Sequence, residues 1–230
     1  MFARTFGLLR ARARHEVGAW SGVMLFTLAS FGCDRVSQDA RPDSAATVAA
    51  ARDTLLELGI QDQAGRDSAG MAAARNDVAY MARMMRGDSA RTRWLQGFIT
   101  ARGWPSRSTY GDSAVKAAFL IVQHSPDYAF QEQMLPVLEK AATTDDVRRQ
   151  DVAMLADRIA VHRGRPQRYG TQFSLRADTM VAHPIADVPA LDSLRATVGL
   201  PPMSEYAKLL KDVYKLPVQW PPPSPIVPSR

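Results

Sequence analysis

Residues 157–172 hold the densest group of side chains able to do chemistry. Asp157 and Arg158 interrupt an apolar run, and Gly164-Arg165-Pro166-Gln167-Arg168-Tyr169-Gly170-Thr171-Gln172 follows shortly after. On a helical wheel Asp157 falls among Ala153, Met154, Ala160 and Val161, so its charge needs a partner, and Arg158, about 100° away, is a poor one. Such a carboxylate either joins a structural ion pair, caps the Tyr169 loop, or sits with a shifted proton affinity in a functional cleft. His124, after Gln123 at the end of an apolar helix, could serve as a general base or anion-binding group, or simply bond a helix-end carbonyl. An enzyme built from these residues would use His124 as acid or base. Asp157 would orient it or an arginine, and Tyr169 and Gln172 would position substrate. A binding module would draw on Gln123, Arg158, Gln167, Tyr169, Thr171 and Gln172.

Other chemistries find little support. His124, His162 and His183 are isolated, with no i, i+4 pair and no cysteine cluster, so no metal site is expected. Gly-x-Ser-x-Gly and glycine-rich phosphate loops are missing from the sequence, and no cofactor is expected. A two-carboxylate glycosidase stays open, because sequence alone places no pair at the required separation. Arginines 148, 149, 158, 163, 165, 168 and 176 face only Asp151 and Asp157 within residues 148–176, a balance that suits a phosphate or other anionic ligand, or a lipid headgroup. The chain has 24 arginines and five lysines throughout, so this excess is general. Nucleic acid is not an expected partner, since no recognition motif, lysine-rich arm or aromatic series accompanies the charge.

The elements that must position these groups are mainly helical. Asp-Ser-Ala recurs at 43, 67, 88 and 112, each time before helix-favouring residues, and reads as N-capping, with Gly59 and Gly87 marking breaks. Gly103-Trp104-Pro105 stops a further helix. The run from Asp112 to His124 is apolar all round between Ala117 and Val122 and should form the central buried helix. Ser125-Pro126 opens the next helix, which runs to about Ala142 with a kink at Pro136. Thr143 to Asp146 caps another, ended by Gly164 and Pro166. Alternation through Tyr169, Thr171, Phe173 and Leu175 predicts a strand, and a second strand should end at His183-Pro184. Helices near 189–198 and 203–215 follow. The expected fold is therefore mainly α: a compact multi-helix domain over residues 43–215, with one short β-hairpin near residues 168–184. A Pro-rich disordered tail should occupy 216–230.

The first 32 residues read differently. Arg4, Arg10, Arg12 and Arg14 precede an apolar run from Val17 to Gly32, the layout of a secretory signal, which at 16 residues is short for a bilayer-spanning helix of about 20. Leu28-Ala29-Ser30-Phe31-Gly32-Cys33 ends at the single cysteine and resembles a bacterial lipoprotein lipobox, with Ser30 standing where Leu is usual. Cys33 is thus the candidate lipidation site, followed by a polar tether over 33–42. Removing residues 1–32 lowers the formal charge from +6 to +3. An exported protein of the cell envelope is expected, lipid-anchored, with its domain in the periplasm or on the outer surface.

An ordered set of motifs spans residues 53–210: Asp62-Gln63-x-x-Arg66, Gly103-Trp104-Pro105, Leu120-Ile121-Val122-Gln123-His124, Phe130-Gln131, Leu155-x-Asp157-Arg158, Gly164-x-Pro166-Gln167-x-Tyr169-Gly170-Thr171-Gln172, Pro184-Ile185-x-Asp187 and Gly199-Leu200. Together they resemble a bacterial family catalogued only as a domain of unknown function. The chain departs from the family pattern by an extended segment between Arg66 and Arg93. That resemblance implies no established activity, but it groups the Gln, His, Asp, Arg, Tyr and Thr positions where the central helix ends, the Asp157 helix passes and the hairpin begins. Two readings follow. The first is a ligand-binding or structural envelope module that contacts a small molecule or an envelope protein. The second is an enzyme with hydrolase-like acid–base chemistry at His124, Asp157, Tyr169 and Gln172. The first is preferred because no nucleophile, metal set or cofactor motif stands out.

Overall fold

The computed structural model describes residues 44–64, 66 and 77–222. The signal-like run, Cys33, the tether to Pro42, the Asp67 repeat and residues 223–230 lie outside the described residues. Eight helices and a small sheet make up the described part. The helices are α1 Ala45–Gln63, α2 Val78–Arg102, α3 Arg107–Tyr110, α4 Asp112–His124, α5 Tyr128–Ala141, α6 Arg149–His162, α7 Leu191–Thr197 and α8 Met203–Tyr214. The strands are β1 Phe173–Arg176, β2 Thr179–Ala182 and β3 Val218–Gln219. No helix among the described residues is long and apolar enough to cross a membrane.

The apolar run in α4 makes it the centre, as its composition requires. Val115, Ala118, Phe119, Ile121 and Val122 are buried, and Leu55, Leu95, Phe98, Phe130, Leu138 and Leu155 from four neighbouring helices close around them. The largest contact is with α1, and it depends on Gly59. A Cβ there would come within 2.6 Å of the Ala117 Cβ, so glycine lets the two backbones approach. Gly59 and Gly87 therefore do not break helices, as their type suggests in sequence. Both lie inside continuous helices, and a Cβ at Gly87 would stand 3.0 Å from Arg91 Nη1.

Capping also departs from the Asp-Ser-Ala pattern. Ser44 does cap α1, accepting from the Thr47 N–H, but Asp77 caps α2, and Asp88 lies within it. Asp127 rather than Ser125 caps α5, accepting from the Phe130 N–H at 3.0 Å. Gly103 does end α2 where Gly103-Trp104-Pro105 predicts, at φ 76° and ψ −170°, a positive-φ conformation suited to glycine but extended in ψ rather than left-handed helical. The end of α4 is held by Gln131, which is fully buried and whose Nε2 donates to the carbonyls of Val122, Gln123 and Ser125 at 3.2, 3.1 and 3.0 Å. The Val122 carbonyl also accepts the Ser125 N–H at 3.2 Å, and the Gln131 side chain from α5 adds its bonds at this helix end, so it helps fix the turn that carries His124.

The hairpin forms as the alternation predicts, with Phe173 opposite Ala182 and Arg176 opposite Thr179. It starts four residues later than Tyr169 because the backbone before it serves another purpose, described below. A third strand completes the sheet: β3 pairs parallel to β2, Met180 opposite Val218. Folded structure thus extends past Lys215, and the segment read as the start of a disordered tail is a sheet edge.

Candidate functional site

His124 does not pair with Asp157. Its Nδ1 lies 2.7 Å from Oδ2 of Asp62, at the end of α1. An ionised carboxylate can only accept, so Nδ1 carries the proton and Nε2 is left to accept when the ring is neutral or to donate when it is charged. No hydrogen bond among the described residues engages that Nε2. Asp62 is itself buried, at 1% exposure, and is met by more than the histidine. Arg66 Nη2 donates to Oδ1 at 2.8 Å, Gln63 Nε2 to Oδ2 at 2.8 Å, and Arg91 Nε stands 3.7 Å from Oδ1. Asp88 ties the arginines together, its Oδ1 accepting from Arg66 Nη2 and Arg91 Nη2.

Arg158 completes this cluster from α6. Its Nε is buried with no hydrogen-bond partner, and it makes no ion pair among the described residues. It feels the charges of Asp88 and Arg66 and lies near Tyr128, whose ring stacks on His162 with centroids 3.3 Å apart. Burial pushes the Arg158 guanidinium below its usual range. At Asp62, burial would raise the carboxyl, but the hydrogen bond and charge of His124, and then those of Arg66, outweigh it and hold the group below the usual carboxylate range. Arg66 shows the same contest: burial opposes its charge, and Asp62 with Asp88 more than restores it. Three guanidinium groups thus face two carboxylates, and a protonated His124 would add to the positive side. An anion placed beside Arg158 Nε would meet an unspent donor in a partly desolvated setting, where a charge-assisted hydrogen bond is strong.

Asp157 has a different task. It is 1% exposed, and every partner it has is in one loop. Oδ1 accepts the N–H groups of Arg168 and Tyr169 at 2.7 and 3.0 Å, while Oδ2 accepts the N–H and hydroxyl of Thr171, both at 3.0 Å. This carboxylate caps the Tyr169 loop, one of the outcomes its apolar surroundings allowed. Gln167 is equally committed: Nε2 donates to the carbonyls of Gln172 and His183, and Oε1 accepts from the Gln172 N–H. Gln172 Nε2 donates to the Met154 carbonyl and to Thr171 Oγ1. Arg195, with no exposed surface, donates from Nη1 to the Tyr169 carbonyl and from Nε to that of Pro201, with Tyr206 stacked 4.8 Å away. Burial pushes this guanidinium down too.

The residues expected to act together therefore separate. Asp157, Gln167, Thr171 and Gln172 are occupied in building a loop, and no hydrogen bond joins them or Tyr169 to His124. The grouping of His124 with Asp157, Tyr169 and Gln172 is not formed, because backbone N–H groups saturate the Asp157 oxygens and Asp62 supplies the carboxylate His124 uses. Arg158 belongs to the His124 cluster. Gln123 is buried on α4, its Oε1 without a partner. Asp62, Arg66, Asp88, Arg91 and Tyr128 were not singled out as site residues. The Asp62/Arg66 spacing of four was the available signal, since on a helix it predicts a pair. Cys33 lies outside the described residues.

No curated protein and no solved structure matches the chain. A family model matches residues 50–219, from within α1 through β3, a range that contains every residue of the Asp62–His124–Arg158 cluster. The chain belongs to the family of unknown function DUF6624.

Proposed function

We propose that this domain binds a small anionic ligand, in an exported envelope protein held to the membrane through a lipidated Cys33. The observation that carries the ligand reading is Arg158, a guanidinium with a buried, unpartnered Nε that feels the charges of Arg66 and Asp88 in the cluster that also holds His124. Arg158 is half-buried and makes no ion pair among the described residues; a charge stripped of part of its hydration and left unpaired costs stability, and an anionic ligand would offset that cost. Export and anchoring rest on the sequence of residues 1–33 alone.

Acid–base catalysis at the same place is a second reading, favoured by the 2.7 Å contact between His124 Nδ1 and Asp62. There Asp62 takes the orienting role, and His124 Nε2 gives or takes the proton.

Thermal unfolding of the full chain and of Arg158→Met, in sodium phosphate and in sodium chloride at matched ionic strength, tests the ligand reading. Phosphate should raise the Tm of the unmodified chain by mass action. In chloride Arg158→Met should be as stable or more so, because methionine fills similar volume without a buried charge, and phosphate should no longer raise its Tm. Equal phosphate stabilisation in both proteins would overturn the reading.

A further inference from the structure

A separate cleft of about 520 Å³ opens between α5, α6, the Tyr169 loop and the end of α7. That volume lies in the range of small-molecule sites, which are mostly apolar with a few fixed polar groups. Its floor is made by Ala153, Ala156 and Ala160, one face of α6, and its wall by Val152, Val198 and the Tyr169 ring. Three charged side chains line its exposed rim: Arg149, Arg168 and Glu139. None of the three forms an ion pair or side-chain hydrogen bond among the described residues; Arg168 only lies over the Tyr169 ring, 5.4 Å from its centroid. Asp157 also reaches the cleft, but both its oxygens are taken by the Tyr169 loop and Arg195 lies close enough for its charge to be felt. The free charge at the rim is therefore two arginines against one glutamate, above an apolar interior.

The geometry points to a binding site for a small anionic amphiphile, such as a medium-chain fatty acid, with the tail along the α6 alanines and the head between Arg149 and Arg168. The alanines leave room for the tail because Ala153, Ala156 and Ala160 carry only methyl groups along the floor, with the longer Arg149 at the rim. Arginine suits the head because its planar fork accepts a carboxylate or phosphate in a bidentate pair. This site shares no residue with the Asp62–His124 cluster, so it stands or falls separately from the anion site proposed above.

Isothermal titration of decanoate, decanol and decyltrimethylammonium into the full chain, below micelle-forming concentrations, tests the inference. Decanoate should bind, decanol more weakly, and the cationic analogue not measurably. Ala156→Trp, which fills the floor, should weaken decanoate by at least about tenfold. Arg149→Met with Arg168→Met should weaken decanoate by about the same factor while leaving decanol unchanged. Should Ala156→Trp not fold, Ala160→Phe fills the same floor with a smaller ring and is read by the same titration. Arg158→Met should bind decanoate like the unmodified chain. Unchanged decanoate affinity in a folded, floor-filled variant, or equal affinity for decanoate and the cationic analogue, would overturn the site.

Discussion

Replacing Asp157 by asparagine turns one carboxylate oxygen into an NH₂ and leaves the volume almost untouched, so the cost comes mainly from the hydrogen bonds and from the lost charge that Arg195 feels. Its carboxylate accepts from four donors: the N–H groups of Arg168, Tyr169 and Thr171 and the Thr171 hydroxyl. An asparagine can point its single oxygen toward one pair only. If it keeps Arg168 and Tyr169, its NH₂ faces the Thr171 N–H, donor against donor, with only the hydroxyl able to turn and accept. One or two buried donors then lose their acceptor, and the hydrogen bonds that survive are no longer charge-assisted. At about 1–3 kcal/mol for each buried group left without a partner, the substitution should cost roughly 3–5 kcal/mol. That is well beyond the usual effect of a point substitution, about 1 kcal/mol. Urea unfolding followed by circular dichroism reads the change, with Thr171→Val as a control that loses one hydroxyl and about 1 kcal/mol. The two changes should be non-additive, because they remove parts of one network. A loss below about 1 kcal/mol for Asp157→Asn would refute the view that this carboxylate organises the loop.

Gly59→Ala sets two effects against each other. Alanine is better by about 1 kcal/mol in a helix interior, but its Cβ would sit 2.6 Å from that of Ala117, so α1 and α4 must separate. Overpacking costs about 1–3 kcal/mol, and chemical denaturation should show net destabilisation; a gain in stability would contradict the close approach. Asp62 makes the acid limb of stability testable. Its folded carboxyl is held below the usual range, so its contribution is complete above the unfolded value of about 3.9 and is lost as the pH falls through the lower folded value. Asp62→Asn should therefore be destabilised at neutral pH and lose less stability than the unmodified chain when both are acidified below about pH 4. Parallel curves for the two proteins would show that the carboxylate is not coupled to His124 and Arg66.

Much of the architecture could be read from residue patterns that act locally. The apolar run around Phe119 identified the central helix, Gly103-Trp104-Pro105 its neighbour's end, and the alternation through Phe173 and Leu175 the hairpin. Prediction weakened wherever backbone groups or distant residues decide. Asp157 needed a partner, and its surroundings said so, yet three of its donors are main-chain N–H groups, which carry no residue signature. Those same bonds turn Tyr169 and Thr171 away from the strand that their alternation suggested. The contact between Asp62 and His124 spans 62 positions and depends on how α1 lies against α4, which in turn depends on Gly59, a residue whose type reads as a helix break but which serves as a contact point. Asp88 looked like a cap because it stands in the same tripeptide as the one that caps α1 through Ser44; only the positions of Arg66 and Arg91 show its use.

The central claim is that His124 and Arg158 face a common anion. The imidazole resonances of His124 in the full chain, followed by NMR as sodium phosphate is added at constant pH and ionic strength, test it most directly. The account predicts a saturable shift at His124, little change at His183, and loss of the response in Arg158→Met. A His124 signal that does not move, or that moves identically in Arg158→Met, would contradict it.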